Sequence, residues 1–256
     1  MDWAANLDTA AVAAAVGAVA SAFVPRLIAA VPEPEPEEAP PADGQDGLVG
    51  EADTPRTDKL LDKPKEPYAD IAARPRLAVK STVAGLVAGG LLGAAVGWEW
   101  PLTFLVFLVP VGIALAVIDF HTWLLPTWLI LRAYALVAIL VVISAAATQD
   151  WSALGAAFGG SLLAFGLYWV LWVVSAAMGY GDVRLSALLG LALGYLGWGE
   201  LMTGIWVAFL LGTVGWIPLR LLRITETKHF PFGPFMLLGA LFGVLFGADI
   251  WSSLFE

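Results

Sequence analysis

Residues 101–119 decide the fold, and they read PLTFLVFLVPVGIALAVID. The run is apolar almost from end to end, and it has the length of an α-helix crossing about 30 Å of hydrocarbon, which takes roughly 20 residues. Its one ionisable side chain is Asp119, at the end of the run. The run therefore predicts a transmembrane helix with a carboxylate at its carboxyl end.

Similar runs recur along the chain. A β-barrel would need short alternating strands, whereas these runs are continuously apolar, and Gly85, Gly89 and Gly93 are spaced for close helix packing. The sequence predicts an all-α, polytopic membrane protein with about eight transmembrane helices. The predicted spans are residues 9–30, 81–98, 101–119, 127–147, 153–178, 183–198, 201–222 and 233–250.

The composition agrees with a membrane environment. Of the 256 residues, 59% are hydrophobic and 14% are charged, and the mean hydropathy of +0.81 is unlike that of soluble domains. The formal net charge of −9 argues against nucleic acid as a partner and leaves the lipid bilayer as the expected surroundings. Because the chain lacks cysteine, it has no disulfide and no thiolate nucleophile.

The spans divide the chain into three parts. Residues 1–30 hold the first transmembrane helix, which we expect to be retained because its start carries Asp2 and Asp8 rather than the positive charge of a signal peptide. Residues 31–80 are acidic and Pro-rich, and they are predicted to be a disordered cytoplasmic loop, since few apolar side chains could offset the entropy of ordering it. Residues 81–256 are predicted to form a membrane domain of seven helices.

The basic residues predict the orientation. In an eight-span arrangement all 13 Lys and Arg residues lie on one side, whereas the connections near Glu99, Asp150 and Glu200 carry none. Short loops rich in Lys and Arg stay in the cytoplasm. We therefore expect a multi-pass protein of the cell membrane with both termini outside.

From Ser81 onward, two of the eight acidic residues fall outside the outer connections, the last inner loop and the C-terminus. Asp119 ends the third span and Asp182 begins the sixth. An even number of crossings separates them, so both are predicted to lie at the same depth near the cytoplasmic face. Ionisable side chains inside a helix bundle are costly and usually functional.

Neighbouring carboxylates can divide acid and base work. One keeps a proton while the other draws a proton from a water, which then attacks a carbonyl. Gly179 and Gly181 precede Asp182 and let the backbone approach a substrate closely. The structural alternative is that Asp119 reaches towards the interface and Asp182 caps the sixth helix. The residue types alone leave both interpretations open.

Three motifs, in this order, resemble those of the type IV prepilin peptidase family, the membrane aspartic peptidases with a Gly-x-Gly-Asp signature. They are Ile118-Asp119 with Leu125-Pro126, then Gly179-Tyr180-Gly181-Asp182, then Pro231-Phe232-Gly233-Pro234-Phe235. The resemblance implies that Asp119 and Asp182 are the catalytic pair and that Gly179 and Gly181 support the motif backbone. It also makes a further set of residues candidates for substrate or charge contacts, namely Arg184, Pro231, Gly233 and Pro234.

The resemblance implies hydrolysis, at the cytoplasmic face, of the short positive leader of prepilins or pseudopilins, just after a glycine and without metal or cofactor. Two positions depart from the family pattern: Thr127 replaces an acidic or amide residue, and Arg184 replaces a lysine. Many members carry paired cysteines and an N-methyltransferase function in the first cytoplasmic loop. Because this loop has no cysteine, we do not expect methylation by that arrangement.

Two other classes of function use the same features. In a transporter component, Asp119 and Asp182 would carry protons or bind a cation. In a non-catalytic membrane scaffold, they would be retained without chemistry. The position of both carboxylates near one face, rather than at the midplane, favours the peptidase over the transporter.

Overall fold

The computed structural model describes residues 5–33, 66–175, 178–221 and 231–255. For residues 215–221 and 255 it describes the backbone only. Within these ranges every regular element is a helix, which confirms the predicted all-α fold. The helices are α1 (Leu7–Ser21), α2 (Val24–Ala29), α3 (Tyr68–Ala72), α4 (Leu77–Val96), α5 (Leu102–Thr122), α6 (Thr127–Thr148), α7 (Trp151–Val174), α8 (Tyr180–Leu196), α9 (Trp198–Leu221) and α10 (Gly233–Phe255).

Among the described helices, α4, α5, α6, α7 and α10 are long and apolar enough to cross a membrane. The other three predicted spans coincide with α1 and α2 together, with α8, and with α9. Large apolar side chains face outward on the bundle, for example Leu162 on α7 and Trp206 on α9, each 73% exposed. Such side chains are buried only by lipid, so the protein is a multi-pass membrane protein.

Three antiparallel helix pairs rest on small residues. Gly17 on α1 meets Gly85 on α4, and Gly160 on α7 meets Gly190 on α8. Gly204 on α9 packs in the same way against the backbone of Gly239 on α10. At each contact the backbone of the partner helix occupies the space that a side chain would need, so these pairs depend on glycine.

Helices α5 and α8 lie inside this arrangement and run antiparallel to each other. Most of α8 is buried, and its carboxyl end meets the amino end of α5, where the rings of Tyr195 and Phe104 are 5.5 Å apart. The carboxyl end of α5 and the amino end of α8 therefore lie at the opposite end of the bundle. These two ends carry Asp119 and Asp182.

The first predicted span is broken. Helix α1 ends at Ser21 and α2 begins at Val24, with Pro25 in its first turn. Proline has no N–H, so it cannot donate to the carbonyl of Ser21, four residues earlier, and the helix is interrupted there.

Part of the predicted disordered loop, residues 31–80, is helical. Residues 68–72 form α3, and α4 begins at Leu77 rather than at residue 81. Helix α3 is ordered because Tyr68 and Ile71 are buried against α2, and because the N–H of Tyr68 donates to Glu33 Oε1 at 2.6 Å. The rest of the predicted loop, residues 34–65, lies outside the described residues.

Candidate active site

Asp119 is held by the start of another helix. It is buried, with 4% of its surface exposed, and it lies one turn inside α5, which continues to Thr122 instead of ending at the carboxylate as predicted. The N–H of Gly233, the first residue of α10, donates to Asp119 Oδ2 at 2.9 Å. The first amides of a helix have no partner within it and attract negative charge. Helix α10 therefore fixes the position of this carboxylate.

Asp182 is held by its own helix. It is the third residue of α8 and is 7% exposed. The N–H of Gly179, the residue that caps α8, donates to Asp182 Oδ2 at 3.1 Å. Asp182 is therefore not the N-cap considered in the sequence analysis, since Gly179 is the N-cap and Asp182 accepts from its N–H through one oxygen.

Leu125 contacts both Gly181, which precedes Asp182, and Gly233, whose N–H binds Asp119. A Cβ atom at Gly181 would lie 2.7 Å from Leu125 Cβ, and one at Gly233 would lie 3.4 Å from Leu125 Cδ2. Both glycines therefore pack on the same side chain. The structure brings the two predicted site residues together at one end of the bundle.

Each carboxylate has one oxygen that accepts no hydrogen bond from the described residues. Among the described residues, no hydrogen bond reaches Oδ1 of Asp119 or of Asp182. Nor do three His, Asp or Glu side chains of the described chain come together as a metal site would require. A carboxylate oxygen without a protein partner can take a proton from a water or return one to it.

An aromatic cluster of Tyr168, Phe209 and Phe232 borders the carboxylates. Tyr168 is 2% exposed, and its ring lies 5.3 Å from that of Phe209. The ring of Phe232, directly before Gly233, is 5.5 Å from that of Phe209. These rings form an apolar wall beside the site. Sequence reasoning missed them because single aromatic residues in apolar spans carry no distinguishing pattern.

The remaining predicted site residues shape the helix starts. Pro231 is buried just before α10, and Pro234 is in its first turn, where the missing N–H removes no helical hydrogen bond. Arg184 donates to the hydroxyl of Thr127. The two positions that depart from the family pattern thus contact each other.

The segment that carries Asp119 and Asp182 is similar to known proteins. Residues 106–217 match the model of the type IV leader peptidase family. A prepilin leader peptidase/N-methyltransferase of Stutzerimonas stutzeri is 30% identical over 174 residues, which are 65% of this chain and 59% of that protein. The protein with the same description in Pectobacterium carotovorum subsp. carotovorum is 34% identical over 168 residues, 64% of this chain and 57% of that protein.

The chain thus spans less than two thirds of the length of these curated relatives. No solved structure matches it. The family match begins inside α5 before Asp119 and extends through Asp182 into α9. The part of the chain that carries Asp119 and Asp182 is thus similar to the type IV leader peptidase family.

Proposed function

We propose that the chain is a membrane aspartic endopeptidase that removes the short leader of type IV prepilins or pseudopilins at the cytoplasmic face. The observation that carries the proposal is the pair of buried carboxylates, Asp119 and Asp182, each held by one backbone N–H at the same end of the bundle. The family match and the relatives described as prepilin leader peptidases support it.

In the proposed reaction the carboxylate pair holds one proton and binds one water. The ionised carboxylate takes a proton from the water, whose oxygen attacks the scissile carbonyl carbon, while the other carboxyl group gives its proton to the carbonyl oxygen. The C–N bond of the tetrahedral intermediate then breaks. The first carboxylate passes its proton to the leaving amine, and the hydroxyl proton returns to the second. Because two such groups titrate together, these roles belong to the pair.

The transporter alternative is less well supported. Asp119 and Asp182 lie at one end of α5 and α8, whereas a carboxylate that carries a proton or cation across the membrane is expected near the midplane. The scaffold alternative gives no reason for two buried carboxylates to lie at the same end of the bundle. Both alternatives predict that a prepilin stays intact in the presence of the protein.

Leader removal in cells tests the proposal. The chain is co-expressed with a prepilin in a host that lacks its own prepilin peptidase, and the pilin is examined by immunoblot. We expect a shorter pilin that appears only when the chain is present. Accumulation of full-length prepilin alongside well-expressed chain would reject the proposal.

Replacing the two glycines of the Gly-x-Gly-Asp motif by alanine is predicted to affect activity to different extents. A Cβ atom at Gly181 would press on Leu125 Cβ at 2.7 Å, whereas one at Gly179 would lie 3.5 Å from Asp182 Oδ2, an ordinary contact. Gly179 is also extended, with φ −78°. We expect Gly181→Ala to lower kcat by about 100-fold, since small displacements of reacting groups have such effects. Gly179→Ala should retain most activity, and equal losses in both variants would contradict this assignment.

We also propose that both aspartates face the cytoplasm, because all 13 Lys and Arg residues fall on their side of an eight-span chain. Reporter fusions at Asp53 and Glu226 should then give an inside signal, and fusions at Asp150 and Glu200 an outside signal. An outside signal at Glu226 would contradict the eight-span topology and the cytoplasmic placement proposed here.

The cleaved product is expected to keep a free, unmethylated N-terminus. A cysteine-held zinc domain could support a methyl-donor pocket in the first loop, but this chain has no cysteine. Mass spectrometry of the product after incubation with S-adenosylmethionine checks this expectation. A gain of one methyl group in the product would overturn it.

A further inference from the structure

Arg184 lies on the opposite side of α8 from Asp182. Two residues along an α-helix correspond to about 200° of rotation, so the side chains leave the helix in nearly opposite directions. Arg184 donates to the hydroxyl of Thr127, and its guanidinium lies 4.5 Å from the ring centre of Tyr180. That ring in turn packs on Trp172 of α7, with ring centres 5.1 Å apart. Arg184 is therefore directed at neighbouring helices rather than at the carboxylates.

Thr127, the partner of Arg184, lies next to a turn that contacts the segments around both aspartates. It is the first residue of α6, and it follows the turn that contains Leu125 and Pro126. Leu125 packs against Gly181 and Gly233, the glycines beside the two aspartates. The hydrogen bond from Arg184 to Thr127 therefore links the start of α8 to this turn, which contacts the glycines beside both aspartates.

We propose that Arg184 and Thr127 form a positioning clamp that holds Asp182 at its working place relative to Asp119, an inference that rests on the proposed peptidase function. Arg184 is a positioning residue here and not a substrate contact. A hydrogen bond from a charged donor is stronger than one between neutral groups, and the Tyr180 ring favours the same guanidinium position. Losing either partner would let α8 shift without emptying the core.

Single substitutions that remove one partner test the clamp. Thr127→Val removes the acceptor and keeps the shape, whereas Thr127→Ser keeps the hydroxyl. Arg184→Met removes the donor and keeps much of the length. Matched controls are Thr82→Val, since the Thr82 hydroxyl bonds only its own helix backbone in the described chain, and Arg132→Lys at an exposed arginine over Trp128.

The readout is the pair of kinetic constants for a synthetic prepilin segment that has a lysine-rich leader ending in glycine and then an apolar helix. We expect kcat to fall by about tenfold to 100-fold in Thr127→Val and in Arg184→Met, with KM nearly unchanged. Thr127→Ser should behave like the wild type. Because both single variants break the same contact, the double variant should be no slower than the worse of the two.

A substrate contact would give a different pattern. If Arg184 bound the substrate, Arg184→Met would raise KM and Thr127→Val would leave both constants unchanged, and this result would overturn the proposal. Wild-type kinetics in both single variants would overturn it as well.

A measurement without substrate separates the clamp from the peptidase function. The chain has no cysteine, so spin labels can be attached after Leu131→Cys and Val174→Cys, at lipid-facing sites that are 58% and 80% exposed. Because α7 packs closely on α8 through Gly160 and Gly190, a shift of α8 relative to α6 should also move the label on α7. We expect a narrow distance distribution between the two labels in the wild type and a broader one after Thr127→Val. If the wild type cleaves nothing, the peptidase proposal fails, and an unchanged distribution then rejects the clamp independently.

Discussion

Replacing Asp119 or Asp182 by Asn is expected to abolish leader cleavage while the protein still accumulates in the membrane. Asn keeps the size of the side chain and can still accept the backbone hydrogen bonds from Gly233 and Gly179. It can neither take nor hold the proton that hydrolysis moves, and such proton transfers contribute about 100-fold to 10,000-fold to rates. Initial cleavage rates of the purified variants measure the loss.

The matched control for this prediction is Asp150→Asn. Asp150 lies at the other end of the bundle, where it accepts from the N–H of Ala153 at the start of α7, a contact that Asn can also accept. This variant should cleave like the wild type. The double variant of Asp119 and Asp182 should be no slower than either single variant, because one missing carboxylate already disables the pair. Near-normal cleavage by either single variant would remove that residue from the mechanism.

Gly233→Ala is expected to lower kcat by about 100-fold without loss of the folded protein. A Cβ atom at Gly233 would lie 2.8 Å from Asp119 Oδ2, which is too close for two unbonded atoms. The carboxylate would have to move from the N–H that holds it, and a small misplacement of a reacting group costs much of the rate. Steady-state kinetics in detergent give the size of the loss.

Gly159→Ala is the control for Gly233→Ala. Gly159 lies on the outside of α7, and no described atom comes within 4 Å of an added Cβ. Since alanine is the better helix former, this variant should fold at least as well as the wild type and keep its activity. Full activity of Gly233→Ala would show that the contact between α10 and Asp119 does not position the carboxylate.

The part of the site that follows from counting helices could be predicted from sequence. A continuous apolar run can cross a bilayer only as a helix, so the spans follow from the order of the runs. Because an even number of spans separates Asp119 from Asp182, their position at the same end of the bundle follows as well. Helix ends are less certain, because a helix can carry a polar residue in its last turn. Helix α5 accordingly continues past Asp119 to Thr122.

The contacts between helices could not be predicted. Gly233 donates to Asp119 across 114 positions of sequence, and nothing in the pattern of either span states that α5 and α10 are neighbours. The same holds for Arg184 and Thr127, which are 57 positions apart. In lipid, packing depends on shape and small residues rather than on an apolar stripe facing a core, so the periodicity that identifies partners in soluble bundles is missing.

Helix α3 was not predicted from the sequence, for a different reason. The average composition of residues 31–80 is that of a disordered segment, but two apolar residues three positions apart, Tyr68 and Ile71, suffice to dock one short helix. They are 5% and 0% exposed. An average over fifty residues conceals such a local anchor.

The central claim, that Asp119 and Asp182 hydrolyse a leader peptide bond, is tested most directly by intact-mass analysis of a prepilin incubated with the purified protein in detergent. We predict two products, a leader ending in glycine and a mature pilin, whose masses sum to the prepilin plus one water. The same incubation with the double Asn variant should leave the prepilin intact. Equal cleavage by the wild type and the double variant, or none by a well-folded wild type, would contradict the claim.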